Sequence, residues 1–369
     1  MHHSRREFLR GFGAGLLVLG SSNVIFARGQ DPFQMLVIGD SLVSGQGLLE
    51  KDRFYNLVRN HLAEEVFKTK RKVSLKNKSH AGARLFLQED EIKALSDAEI
   101  DEDIEYYKEV NFSFPSTTSQ VETARREYEA EGVSADNVDM ILMSGSLTDI
   151  NASYVLNGFL NYKPLRRKIE QHCFGGMKRF LETTGKAFPN AKIFVVGYFP
   201  MLSSETPTGD MYNTILELYS FPRPTKPFLN NIATKQLFKI LQARMKKRSR
   251  IWFEESSKAL KRAVDGHNQA VGKQMAFFVP SPIPESRSYG TEDTLLWKMG
   301  KKGRSEDAMY EVRLSECPKE ISKLSDVDQK FDVRICELSG IGHPNPEGSI
   351  EYAKAINAVV DEVFESAVN

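Results

Sequence analysis

Apolar positions along the chain fall into two patterns. Five short runs are almost unbroken: QMLVIGD (residues 34–40), KVSLKNKS (72–79), VDMILMSGS (138–146), KIFVVGYFP (192–200) and QMAFFVPSP (274–282). Between them, apolar residues recur at helical spacing, over residues 54–67, 120–131 and 165–187. Short continuous apolar runs suit strands covered on both faces. Strands that alternate with amphipathic helices predict a parallel sheet between two helical layers. The expected fold class is α/β: a three-layer α/β/α sandwich around a roughly five-stranded parallel sheet.

Two long connections interrupt that rhythm. Residues 88–110 are strongly acidic, and residues 203–227 are rich in Pro, Ser and Thr. Such connections serve as lids or binding loops in some proteins. The reading preferred here is plainer: a solvated surface helix for the first and an irregular excursion for the second. The basic runs at 246–250 and 298–304 read as solvated faces. The expected organisation is one domain over residues 30–369, with insertions near 84–118 and 203–230.

The N-terminus follows neither pattern. Arg5 and Arg6 lie in Ser-Arg-Arg-Glu-Phe-Leu-Arg, before a weakly apolar run from Phe12 to Leu19. That run is too short to span a bilayer. Residues 1–29 resemble a twin-arginine export signal, which implies the twin-arginine translocation machinery as a partner and a periplasmic or secreted location. Ile25-Phe26-Ala27 is a poor small-x-small cleavage site, so a retained membrane anchor is the alternative.

Charge and cysteine content narrow the picture further. A formal net charge of +1 gives no reason to expect nucleic acid as a partner. Cys173, Cys317 and Cys336 form no Cys-x-x-Cys pair, which excludes a zinc ribbon. Cys317 with Cys336 is a possible bridge, but buried free thiols are the expectation.

Ligands of open α/β sheets bind at the carboxyl ends of the strands. Asp40-Ser41 follows the first run, NKSHAGA (77–83) the second, and SGSLTDIN (144–151) the third; SGIGHPNPEG (339–348) precedes a final helical pattern. Each residue has a chemical and a plain structural reading. Ser41 is a nucleophile with a helix start beside it, or a helix N-cap. Gly82 lets a backbone N–H approach a ligand, or makes a turn. Thr148 donates a hydroxyl, or caps a helix. His343 is a general base whose backbone Pro344 restricts, or a loop residue.

In this order the motifs resemble those of the SGNH hydrolases, the GDSL-type esterases and lipases. Gly39-Asp40-Ser41-Leu42 is similar to their first block, with Ser41 as nucleophile. Residues 77–83 are similar to the second, where Gly82 supplies a backbone donor, and residues 145–149 to the third. His343-Pro344-Asn345 is similar to the fifth, with His343 as base. The resemblance implies a flavodoxin-like fold and a carboxylic ester hydrolase. Two positions depart from it. Thr148 stands where the family has an asparagine oxyanion donor, and Asn151 is the alternative. Gly340 stands where the family has its acid, three residues before the histidine. A backbone carbonyl orienting His343 is one substitute. Asp293 is the best outside acid, with Glu292, Glu337 and Glu347 behind it.

The expected activity is therefore an exported serine esterase or acylhydrolase working through a Ser–His acyl-enzyme, on a lipid, an acyl ester or an O-acetylated glycan. The competing expectation is a catalytically weakened protein that binds a glycan or acyl ligand in the same cleft. No metal or organic cofactor is implied: the sequence has no His-Glu-x-x-His and no P-loop. Residues 215–228, with several apolar and aromatic side chains, are a candidate acyl-pocket lining or a packed excursion.

Overall fold

The computed structural model describes residues 31–103, 107–207, 209, 232–324 and 332–364. The export-signal reading and the 215–228 stretch lie outside the described residues. Five parallel strands form one sheet: β1 (Phe33–Ile38), β2 (Val73–Asn77), β3 (Val138–Met143), β4 (Lys192–Val196) and β5 (Ala276–Val279), in the order β2-β1-β3-β4-β5. Each predicted run holds one strand. The runs overshoot their strands at the carboxyl ends because Gly, Ser and Pro there leave the ladder as loops.

The helices of the first half are α1 (Ser41–Ser44), α2 (Phe54–His61), α3 (Glu89–Asp97), α4 (Thr117–Ala130), α5 (Leu147–Ile150) and α6 (Ala152–Leu156). Those of the second half are α7 (Tyr162–Ile169), α8 (Met177–Ala187), α9 (Ile232–Val271), α10 (Tyr310–Ser322), α11 (Val333–Leu338) and α12 (Pro346–Phe364). The segment read as one helix over 165–187 is α7 and α8 joined by a π-helical turn, Glu170–Gly176.

Crossover handedness explains the layers. Parallel connections are right-handed, so the step from β1 to β2 and the later steps in the opposite direction place their helices on opposite faces. Accordingly α2 packs with α12, while α4 packs with α8 and α8 with α9. All six residues of β1 are buried, as a doubly covered central strand requires. The edge strand β2 is half-buried throughout and alternates Val, Ser, Leu and Lys. Among the described residues no helix is long and apolar enough to cross a membrane.

A second apolar cluster lies apart from the sheet core. Leu95, Val110, Phe112 and Phe114 pack there against Leu324 and a Cys317–Cys336 disulfide. Two expectations change here. The two cysteines are bridged rather than free, because α10 and α11 bring their Cα atoms to 6.0 Å; only Cys173 is a free, buried thiol. The acidic connection is also more than a solvated helix. Its inner face is buried in this cluster, and its end carries Glu109 into the interior, where Glu109 is only 2% exposed.

Candidate active site

In the order β2-β1-β3-β4-β5 the sheet winds in opposite directions from the gap between β1 and β3, which places a ligand crevice at their carboxyl ends. Ser41 and the turn after Met143 both stand there. Gly39 makes the passage out of β1 possible: its φ is +139°, and a Cβ would come within 2.4 Å of the Ser144 carbonyl oxygen. Asp40 is the N-cap of α1, its carboxylate accepting from the Leu42 N–H at 3.1 Å. Ser41 is thus the first residue of the helix and not its cap. Its hydroxyl is spared for other partners. With only four residues, α1 carries little macrodipole, and the local N–H groups are what remain for an anion.

Asp40 ties three strand ends together. It accepts from Ser144 Oγ at 2.6 Å, and from the Tyr198 hydroxyl. Ser144 Oγ in turn accepts from the Val43 N–H at 3.2 Å, and the Tyr198 oxygen from the Leu147 N–H at 3.3 Å. Burial pushes the Asp40 carboxyl up, while Ser144, Tyr198 and the Leu42 N–H pull it partly back. Burial and the neighbouring Asp40 carboxylate push the Tyr198 hydroxyl well above its ordinary value.

His343 reaches Ser41 across 302 residues of sequence. Its Nε2 lies 2.7 Å from Ser41 Oγ. The histidine loop is clamped to residues 295–297: the Trp297 N–H donates to the His343 carbonyl at 2.8 Å, the Gly342 N–H to that of Trp297 at 2.9 Å and the Asn345 N–H to that of Leu295 at 2.9 Å. Pro344 pairs antiparallel with Leu296. Pro346 then opens α12 at the first helical position, where its missing N–H costs nothing. The imidazole is half-buried as a whole, and its Nδ1 is buried with no hydrogen-bond partner among the described residues. Burial pulls its pKa down to about 4; Arg313 acts in the same direction, and Asp307 with the Ser339 and Gly340 carbonyls opposes them.

Gly82 has φ +83°, and a Cβ would stand 2.4 Å from the Phe112 carbonyl oxygen, so the position is closed to other residues. No hydrogen bond among the described residues occupies the N–H of Ser41 or of Gly82. Thr148 lies in α5, directly after β3, and is half-buried. The turn that presents it is strained: Ser146 has φ +114°, a conformation costing on the order of 1–3 kcal/mol for a residue with a Cβ. Asp149 beside Thr148 accepts from the Leu85 N–H at 3.1 Å, and burial pushes its carboxyl up to about 6.

Two expected residues are not brought to this cluster. Asp293 is exposed, its carbonyl accepting from Arg287 Nε at 2.8 Å, and no hydrogen bond among the described residues joins its carboxylate to His343. The pairing of Leu295–Trp297 with the histidine loop leaves Asp293 beyond the end of that pairing. Of the weaker acids, Glu337 pairs with Arg334 and Glu347 with Arg287, and Glu292 is exposed. Asn151 is exposed and caps α6, its Oδ1 accepting from the Ser153 N–H at 2.9 Å.

Sequence reasoning missed the buried polar frame around the site. Gln46 Nε2 donates to Ser339 Oγ at 2.6 Å and to the Glu109 carbonyl at 3.2 Å. Glu109 accepts from Arg53 at 2.7 Å, from Arg313 at 2.9 Å and from the Gly47 N–H at 3.0 Å. Arg313 also pairs with Asp307. This chain of charges joins the turn after Ser41 to the loop before His343.

No family model and no curated protein matches the chain. Among solved structures it is similar to an extracellular lipase from Streptomyces rimosus, at 10% identity over 88% of this chain and 99% of that one, with a TM-score of 0.45. It is similar to a phospholipase A1 from Streptomyces albidoflavus, at 9% identity over 89% and 99%, TM-score 0.41. It is also similar to a carbohydrate acetylesterase from Sinorhizobium meliloti, at 13% identity over 90% and 100%, TM-score 0.39.

Proposed function

We propose that the protein is a serine esterase in which Ser41 is the nucleophile and His343 its general base. The observation that carries this reading is the 2.7 Å contact between Ser41 Oγ and His343 Nε2 at the β1/β3 crevice. In the reaction His343 takes the Ser41 proton as Oγ attacks the ester carbonyl. The N–H groups of Ser41 and Gly82, with the Thr148 hydroxyl, receive the oxyanion. His343 then protonates the leaving alcohol and activates water to release the acid. A ring held neutral down to about pH 4 is in its proton-accepting form at neutral pH.

Export by the twin-arginine route is part of the same proposal. The Cys317–Cys336 bridge supports it, since disulfides persist in oxidising compartments. The substrate belongs to the carboxylic esters: lipid, acyl ester or O-acetylated glycan.

The test is labelling with a fluorophosphonate and hydrolysis of short p-nitrophenyl esters. Ser41→Ala should lose both while keeping its melting temperature, with turnover down by about 10⁶ or to background. Absence of labelling and of hydrolysis in the wild-type protein would sink the enzyme reading and leave a binding protein.

A further inference from the structure

His343 has one ring nitrogen accounted for. Nε2 meets Ser41 at 2.7 Å, and Nδ1 is buried with no hydrogen-bond partner among the described residues. When the Ser41 hydroxyl donates to Nε2, the ring's own proton sits on Nδ1. The Ser339 and Gly340 carbonyls favour the protonated ring but carry no net charge, and a buried donor that becomes part of a cation during the reaction calls for negative charge behind it.

The backbone behind the ring is Gly340, whose carbonyl accepts from the His343 N–H at 3.1 Å. Gly340 has no side chain to offer, and its surroundings show why. A Cβ there would stand 2.3 Å from Asp307 Oδ2 and 2.6 Å from Arg313 Nη2. The volume that a side chain at 340 would use is already filled by the carboxylate of another residue. That carboxylate is fully buried. It also accepts from Ser305 Oγ and, at 2.9 Å, from the Met309 N–H.

We infer that Asp307 is the positioning residue for His343: its carboxylate, standing where a side chain at 340 would stand, supplies the negative charge behind the imidazole. This rests on the esterase reading. The proton moves from Ser41 Oγ to Nε2 as the Oγ–carbon bond forms, and the Asp307 carboxylate offsets the imidazolium charge. Arg313, on the same carboxylate, acts on the ring in the opposite sense and more strongly, so removing the Asp307 charge alone leaves the ring facing an uncompensated cation. The two act on the ring in opposite senses, Asp307 favouring the protonated form and Arg313 opposing it. Glu109 and Arg53 stand one and two ion pairs further back.

Asp307→Asn keeps the volume and the acceptor for the Met309 N–H, and removes the charge. In the folded variant kcat should fall about tenfold or more with KM unchanged, short of the ~10⁴ that a directly bonded triad carboxylate is worth. The His343 ring, followed by NMR and assigned by its loss in His343→Gln, should titrate at lower pH than in the wild type. In Arg313→Gln it should titrate at higher pH. A purely structural Asp307 would lower the melting temperature and move neither kcat nor the titration. Transplanting the carboxylate in Asp307→Gly/Gly340→Asp should recover at least tenfold over Asp307→Gly alone. Unchanged kcat and titration in Asp307→Asn, or titration shifts of the same sign in Asp307→Asn and Arg313→Gln, overturn the inference. The titration needs no turnover, so a wild-type protein without ester hydrolysis would fail the esterase reading and still report on the Asp307 field.

Discussion

The two halves of the site are held by different means. Ser41 sits at the end of a central strand. Its turn leaves β1 through Gly39, is capped by Asp40, and is fastened to the neighbouring strand ends by Ser144 and Tyr198. His343 belongs to no strand. Its loop is pinned by a three-residue pairing to Leu295–Trp297, by the disulfide just upstream, and by Gln46 and Arg313 reaching in from other segments. Ser41, the proposed nucleophile, is positioned by the topology that makes the fold. His343, the proposed base, is positioned by contacts that the topology does not require. Damage to the second set of contacts should therefore reach the histidine before it reaches the sheet.

The largest test of that contrast is Arg313. The side chain is fully buried between Glu109 and Asp307, and also donates to the Glu337 carbonyl at 3.2 Å. Arg313→Met removes a cation and leaves Asp307 buried without its ion-pair partner. The expected cost is about 3–5 kcal/mol in chemical denaturation, the range for breaking a buried ion pair from one side. The disulfide comes next. It closes a separation of 19 residues between α10 and α11. Cys317→Ser/Cys336→Ser should lose about 3 kcal/mol by the loop-entropy estimate. Ester hydrolysis should fall on heating before the far-ultraviolet circular dichroism does, because the histidine loop is released while the sheet persists. Coincident loss of both signals would mean that the two halves unfold as one unit.

How much of this was legible in the sequence follows the same division. The five strands, their parallel arrangement and the strand-end motifs rest on local signals: apolar run length, helical periodicity and Gly-Asp-Ser at a strand exit. Ser41, Gly82 and His343 carry such signals, and the structure places the first and last in contact. Asp307, Glu109, Gln46 and Arg313 carry none. Each is an ordinary polar residue by its local sequence, and its burial depends on partners up to 293 positions away. The expectation for Asp293 rests on a local signal of the same kind. Asp293 is a carboxylate in a loop after the last strand, but it lies beyond the pairing of Leu295–Trp297 with the histidine loop and its side chain is exposed. Gly340 was informative only in reverse: the missing side chain marked a place that something else had filled.

Tyr198 supplies the smallest and cleanest comparison, because it belongs to the Ser41 half. Its hydroxyl donates to the buried Asp40 carboxylate and accepts from the Leu147 N–H. In Tyr198→Phe the ring stays in place against Trp252, with which it packs at a centroid distance of 5.1 Å. Asp40 keeps Ser144 and the Leu42 N–H as donors and loses the tyrosine hydroxyl. The stability cost should be about 1–3 kcal/mol, the range for a buried group left partly unsatisfied. Burial already pushes the Asp40 carboxyl up, and losing a donor that favours its ionised form pushes it further. A folded-state carboxyl raised above its unfolded value binds its proton more tightly when folded. Stability attached to it is present at low pH and falls as the pH rises through that value. The stability difference between wild type and Tyr198→Phe should therefore widen from acid to neutral pH. A gap that stays constant with pH would assign the tyrosine a packing role only, and the strand-end anchor of Ser41 would then rest on Ser144 and the Leu42 N–H.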